Sequence, residues 1–305
     1  MSHATLYCGD VRSVLATLPE CSVQCVVTSP PYWGLRDYGM SGQLGLERTP
    51  EEYVANMVQV FEGVRRVLKE DGVLWLNLGD SYASAFACDR RSVVGQGSPD
   101  SGMKRPNRLV GGLKEKDLVG IPWLVAFALR ADGWYLRSEV IWSKTVVMPE
   151  SVLDRPTKAH EHVFLLTKRS RYFYNADAIR EPDAGQDHPR HVVKPLHRGQ
   201  PGSPHTGIRT AEGRNGEGRN ARSVWTIPTT PYAAAHFATF PEELARRCIM
   251  AGSKPGDTVL DPFGGSGTVA QVATGNGRES SYIDLNPAYL ELAKQRIGAL
   301  LCETA

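Results

Sequence analysis

Two short segments near opposite ends of this 305-residue chain carry side chains whose types and spacing could do chemistry: TSPPYW at residues 28–33 and DPFGGSGT at residues 261–268. The first is a rigid polar turn of the kind that can hold an exocyclic amino group, its two prolines restricting the backbone. Such a nitrogen is a poor nucleophile, because its lone pair is delocalised into the ring. Activating it requires acceptors for its N–H groups and a lone pair aligned with the incoming carbon. A bare PPY is otherwise a surface turn or a polyproline ligand. The β-branched run VQCVV directly before it, at residues 23–27, makes it instead the carboxyl end of a strand.

The second segment is a glycine-rich turn that lacks the GxGxxG dinucleotide pattern and the Lys-Ser/Thr ending of a P-loop. Gly264, Gly265 and Gly267 suit close backbone approach to a ligand, and Phe263 can cover an apolar face. About 20 residues later Asp284 falls at the end of the next predicted strand, where a carboxylate can accept from two ribose hydroxyls. The pair predicts a nucleoside cofactor. No Pro-Cys pair occurs, so covalent attack by a cysteine, as in cytosine C5 methylation, has no nucleophile.

The elements that must position these turns alternate. Strands are predicted at 5–8, 23–27, 73–76, 137–142, 161–167, 258–260 and 281–283. Helices are predicted at 11–18, 49–68, 118–131, 241–251, 268–274 and 287–301. This βα alternation predicts an α/β fold, a mostly parallel sheet covered on both faces with ligands at the carboxyl ends of its strands. Both chemical turns fall at such ends. Residues 175–222 lose their aromatics and gain glycine and proline, a composition that builds no core of its own.

Hydrophobic content of 41%, 22% charged residues and no long apolar run describe an ordinary globular chain with no membrane span and no signal peptide, hence an expected cytoplasmic location. The six scattered cysteines have no metal-binding spacing, so neither disulfides nor a metal are expected. Net charge is only +2, but residues 168–222 hold 11 Lys/Arg against 6 Asp/Glu and residues 86–115 hold 6 against 3. Basic charge gathered in two segments on an acidic remainder suits a phosphate-facing surface, although solvated loops have the same composition.

The two turns, in this order, resemble the catalytic and S-adenosylmethionine motifs of the amino-methylating DNA methyltransferases, the cytosine-N4 and adenine-N6 family, in its permuted beta group. The resemblance implies a Rossmann-like class I S-adenosylmethionine-dependent methyltransferase fold with a seven-stranded sheet. In it the strands at 258 and 281 rank first and second, those at 5, 23 and 73 third to fifth, and an antiparallel pair at 137 and 161 completes the set. It divides the chain into a catalytic part at 1–168 with a basic insert at 86–115, a target-recognition region at 169–222, and a cofactor part at 223–305.

By the same resemblance Ser29 and the Pro30 carbonyl accept from the amino group, Pro31 stiffens the turn, Tyr32 stacks on a flipped base and Trp33 walls the pocket. S-adenosyl-L-methionine would be held by Asp10, which also suits a helix N-cap, and by Thr28, Asp261, Pro262, Phe263, Gly265, Gly267, Thr268, Asp284 and Asn286. The HFATFP string adds His236, Phe237 and Phe240. WLNLGDSYA (75–83), IWSKTVVMPESV (141–152) and KAHEHVFLLTK (158–168) resemble the walls of the active site. Lys144, Arg209, Arg214, Arg219 and Arg222 are the expected DNA contacts besides Trp33.

The implied function is methylation of an exocyclic amino nitrogen in double-stranded DNA, cytosine N4 first and adenine N6 second. A protein glutamine methyltransferase would have NPPY and the unpermuted order. A catalytically inactive DNA-binding protein would not need both half-sites. A homodimer and a cognate restriction endonuclease are the further partners the resemblance suggests, with a prokaryotic cell or a phage-infected host as the setting.

Overall fold

The computed structural model describes residues 2–84, 111–147, 149–182, 218–229 and 240–305. Along the chain run β1 (Ala4–Cys8), α1 (Val11–Thr17), β2 (Val23–Thr28), α2 (Pro50–Val67), β3 (Leu68–Leu78) and α3 (Ile121–Ala131). After them come β4 (Tyr135–Ser143), β5 (His160–Thr167), β6 (Val224–Thr226), α4 (Glu242–Gly252), β7 (Thr258–Asp261), α5 (Thr268–Gly275), β8 (Glu279–Asp284), α6 (Pro287–Ile297) and β9 (Cys302–Thr304). The strands form one sheet in the order β6-β4-β5-β3-β2-β7-β8-β1-β9. Among the described residues only β5 runs antiparallel to its neighbours, β3 and β4.

Burial explains the central strands. Every residue of β2 is buried, as expected of a mostly apolar strand covered on both faces, with polar Gln24 bonded to Asp71 and Thr28 to Asp261. In β3 the alternation divides the run: Leu74, Leu76 and Leu78 pack with α1, α2 and α3, while Val73 and Trp75 pack with α4 and α5. Helix α2 buries Tyr53, Met57, Val60, Phe61, Val64 and Val67, a helical spacing, and starts at Pro50 behind Thr49, whose hydroxyl accepts from the Glu52 amide. Helix α6 closes a smaller cluster with Leu6, Ala270 and Tyr282.

Seven strands are expected from the sequence; among the described residues nine pair, because three-residue strands β6 and β9 extend the two edges. The last helix ends at Ile297 rather than 301, since Gly298 takes φ 103° and turns the chain into β9. Strand β3 begins at Leu68 rather than 73, directly after α2, with Leu68 paired to Val23 across an irregularity in the β2 ladder. Helix α3 starts at Ile121 rather than 118, behind Gly120 in the left-handed region and with Pro122 in its first turn.

What the topology does for function is to bring distant segments together. Sequence order runs one way across β7-β8-β1 and the other way across β2-β3, so the carboxyl ends of β2 and β7 flank the switch point of the sheet. TSPPYW leaves β2 and DPFGGSGT leaves β7. The Thr28 hydroxyl donates to Asp261 Oδ1 at 2.7 Å, tying the two strand ends across 233 positions of sequence.

Candidate active site

A cavity of about 430 Å³ opens at this switch point. On its cofactor side it is lined by Asp10, Phe240, Asp261, Pro262, Phe263, Gly265, Thr268, Asp284 and Asn286, and on its catalytic side by Ser29, Pro30, Pro31, Tyr32 and Lys144. Most residues singled out in the sequence thus meet in one space.

The glycine turn is shaped by packing as much as by a ligand. A Cβ on Gly264 would collide with the Tyr282 ring, and one on Gly267, which has φ 78°, would lie 2.8 Å from the Ala293 side chain. Gly267 is therefore the N-cap of α5 fitted against α6, and it does not line the cavity. The Gly265 and Asn286 amides donate to the two oxygens of Asp284 at 2.9 and 2.8 Å. The Asn286 side chain caps α6 through the Ala288 amide. Asp261 accepts from Thr28 and, at 3.1 Å, from the Phe263 amide.

Burial pushes the Asp261 carboxyl up to about 7 and the Asp284 carboxyl up to about 6, and the hydrogen bonds they accept offset that only partly. Buried carboxylates short of positive charge, beside ring faces and backbone amides, fit a ligand with a cationic centre and ribose hydroxyls. S-adenosylmethionine is such a ligand. Asp10 is already engaged: it caps α1 through the Arg12 and Ser13 amides and accepts from the Arg12 guanidinium at 2.7 Å. The Arg12 hydrogen bond holds its carboxyl below the usual range.

On the catalytic side a polar network surrounds the turn. The Tyr32 hydroxyl donates to Glu161 Oε2 at 2.6 Å, and Asn77 Nδ2 lies 2.8 Å from both of those oxygens. The Ser29 hydroxyl donates to the Tyr32 oxygen at 3.1 Å. The Lys144 ammonium pairs with Glu161 Oε1 and sits 4.7 Å from the centre of the Trp142 ring. From the other side Tyr53 of α2 donates to the Pro31 carbonyl at 2.9 Å, which fixes the turn to the core. Burial, followed by the Glu161 charge, drives the Tyr32 hydroxyl well above its usual range, so it stays a proton carrier.

Several expected roles change. Trp33 is 1% exposed, lies in the core and donates its indole N–H to the Glu47 carbonyl, so it cannot wall the pocket or meet DNA. Thr28 acts through Asp261 rather than from the cavity lining. Lys144 is turned inward to a carboxylate. Arg219 and Arg222 both pair with Glu181, although Arg222 keeps a side chain 68% exposed. His236, Phe237, Arg209, Arg214 and most of the two basic segments lie outside the described residues.

Asn77 and Glu161 lie within segments expected to wall the site but are not singled out by the sequence reading. The signal exists: each is a polar residue set at or inside an apolar strand run, where burial demands partners. The segment after the turn, including Leu35, Tyr38, Met40 and Leu44, also lines the cavity, and Tyr38 meets Tyr289 of α6 edge-on at 6.4 Å. Its spacing carries no period that would reveal this. Among the described residues no group of three or more His, Cys, Asp or Glu could hold a metal, and no helix is long and apolar enough to cross a membrane.

Comparison with known proteins agrees with this geometry. The Type II methyltransferase M.Cfr9I of Citrobacter freundii is 46% identical over 304 residues, covering 97% of this chain and 88% of its own length. The Thermus thermophilus protein TTHA0409, solved in complex with S-adenosyl-L-methionine, superposes with a TM-score of 0.61 at 25% identity, covering 99% of this chain and 97% of the other. The PvuII DNA methyltransferase (cytosine-N4-specific) superposes at 0.65 and 20% identity over 97% and 86%, which speaks for the fold alone. A family model described as DNA methylase, for the N6 and N4 enzymes, matches residues 23–295. With its two motifs in permuted order around one cavity, the chain belongs to the N6/N4 family of S-adenosylmethionine-dependent DNA methyltransferases.

Proposed function

We propose that this protein methylates the N4 amino group of cytosine at a specific site in double-stranded DNA. The observation that carries the reading is the single cavity into which both the Ser29-Pro30-Pro31-Tyr32 turn and the Asp261/Asp284 pair open. Asp284 suits the ribose hydroxyls, while Asp261, Phe263 and Phe240 suit the cationic and apolar portions of the cofactor. S-adenosylmethionine supplies an electrophilic methyl group when bound. The chain's own task is then to deliver a base, hold its amino group against Ser29 and the Pro30 carbonyl, and exclude water.

Cytosine rather than adenine is favoured by the serine that opens the turn, where adenine-N6 relatives usually carry Asp or Asn. The Ser29 hydroxyl can accept from the amino group, and it donates nothing that an amino group must avoid once its proton is turned to Tyr32. Tyr32 suits stacking on a flipped base. Residues 169–222, with Arg209, Arg214, Arg219 and Arg222, are assigned to DNA recognition, in a protein that works in the cytoplasm where its DNA is. A cognate endonuclease is the natural partner of a Type II enzyme.

The test is transfer of a labelled methyl group from S-adenosylmethionine into plasmid DNA. Incorporation that is lost in Ser29→Ala, while cofactor binding remains, supports the reading. A wild-type protein that labels protein substrates and no DNA overturns it.

A further inference from the structure

The polar cluster behind the turn has an order that the chemistry of its members dictates. Glu161, largely but not fully buried at the start of β5, offers Oε1 to the Lys144 ammonium and Oε2 to the Tyr32 hydroxyl and the Asn77 amide. An ionised carboxylate only accepts, so the single Tyr32 proton is committed to Glu161. The Tyr32 oxygen is left as an acceptor and takes the Asn77 amide at 2.8 Å and the Ser29 hydroxyl at 3.1 Å. Ser29, its own proton spent and its oxygen also 3.3 Å from the Asn77 amide nitrogen, then has one lone pair left to present to the cavity. The Tyr32 ring cannot swing away on the side of Gly79, where even a Cβ would come within 2.6 Å of it.

We propose that Glu161 is the positioning residue that holds Ser29 as an acceptor toward the substrate amino group, and that it is the final acceptor of the proton this group loses, through Ser29 and Tyr32. The inference rests on the amino-methylation reading above. The balance is complete. The substrate nitrogen gains a bond to the methyl carbon, whose bond to sulfur breaks with the electron pair left on sulfur. Its N–H bond breaks and the proton passes to Ser29 Oγ, the Ser29 proton to the Tyr32 oxygen, and the Tyr32 proton to Glu161 Oε2. Both hydroxyls end as they began, and one carboxylate has become a carboxylic acid.

Electrostatics support the direction of this shift. Burial raises the Glu161 carboxyl, but the Lys144 charge and the hydrogen bonds from Lys144, Tyr32 and Asn77 more than reverse that, so it rests ionised. A methylated ring amine still carrying its extra proton is a far stronger acid than any carboxylic acid, which makes even this carboxylate a downhill acceptor. Lys144, Lys158, His160 and Tyr32 are the titratable groups that face it.

The experiment compares wild type, Glu161→Gln, Tyr32→Phe and their double variant in single-turnover methyl transfer to DNA, alongside cofactor affinity by calorimetry and isotope-edited infrared spectra of the Glu161 carboxyl. Glu161→Gln should lower the transfer rate by about 10²-fold or more, leave cofactor affinity unchanged, and lose the acid limb of the wild-type pH profile. Tyr32→Phe should lose a similar factor, and the double variant no more than either single one, because both changes cut the same relay. The infrared band should be that of an ionised carboxylate at neutral pH.

Transfer by Glu161→Gln within about threefold of wild type overturns the inference, as does a protonated Glu161 at neutral pH. If Glu161→Gln does not fold, Tyr32→Phe and the wild-type spectrum decide between the same outcomes. A wild type that methylates no DNA sinks the proposed function and this inference together; an active wild type with an active Glu161→Gln sinks the inference alone.

Discussion

Asp261 and Asp284 are costly residues for the unliganded protein. Each has a carboxyl raised by burial, to about 7 and about 6, so ionising it in the folded state is harder than in the unfolded chain. Their contribution to stability is therefore greatest in acid and is lost as the pH rises through those values. A bound cation reverses the balance by favouring the ionised form. Cofactor affinity should fall as the pH is lowered from about 7 to below about 6, with protons released on binding near neutrality. Calorimetry in buffers of different ionisation enthalpy measures that release, and binding with no proton exchange would contradict it. Asp284→Ala should weaken cofactor binding, whereas Tyr32→Ala should leave it largely intact and cut turnover; the reverse pattern in calorimetry would exchange the two halves of the site. Asp284 is legible in the sequence because it ends a strand shortly after a glycine turn. The sequence offers Lys144 as a DNA contact and Glu161 as a polar residue at the head of an apolar strand, but their pairing becomes legible only in three dimensions, since one residue follows β4 and the other lies in β5.

The elements that matter most are the two turns and the helices that lock them. Gly264→Ala would drive a methyl group into the Tyr282 ring and should destabilise the fold by about 1–3 kcal/mol in thermal or urea unfolding. An unchanged midpoint would mean that the β7–α5 turn has room to relax. Strands β2 and β7 can be read from sequence because a parallel strand covered on both faces is mostly apolar, whereas β8 offers only Tyr282 and Ile283 before Asp284. Strands β6 and β9, of three residues each, have no such run, and only pairing at an edge makes them strands. Trp33 misleads for a related reason. Its place beside Tyr32 suggests the pocket, yet the Gly34 amide bond to the Gly45 carbonyl and the indole bond to Glu47 turn the chain so that this ring faces the core.

At the scale of the whole molecule the permuted order of motifs is what β2 and β7 undo by pairing side by side. The order of the central strands follows from the motif resemblance; the ion pairing of the arginines does not, because a pair such as Glu181 with Arg219 and Arg222 has no sequence signature. Arg209→Ala and Arg214→Ala should each reduce the slope of log K against log[salt] for DNA binding by about 0.9 if each meets a phosphate, whereas Arg219→Ala should change it less. Equal slopes for all three variants and wild type would remove the segment from the phosphate contacts. The most direct measurement of what the molecule does is mass spectrometry of nucleosides from DNA methylated in vitro. N4-methylcytosine is the expected product; N6-methyladenine alone would contradict the choice of cytosine, and 5-methylcytosine would contradict direct transfer to an amino nitrogen.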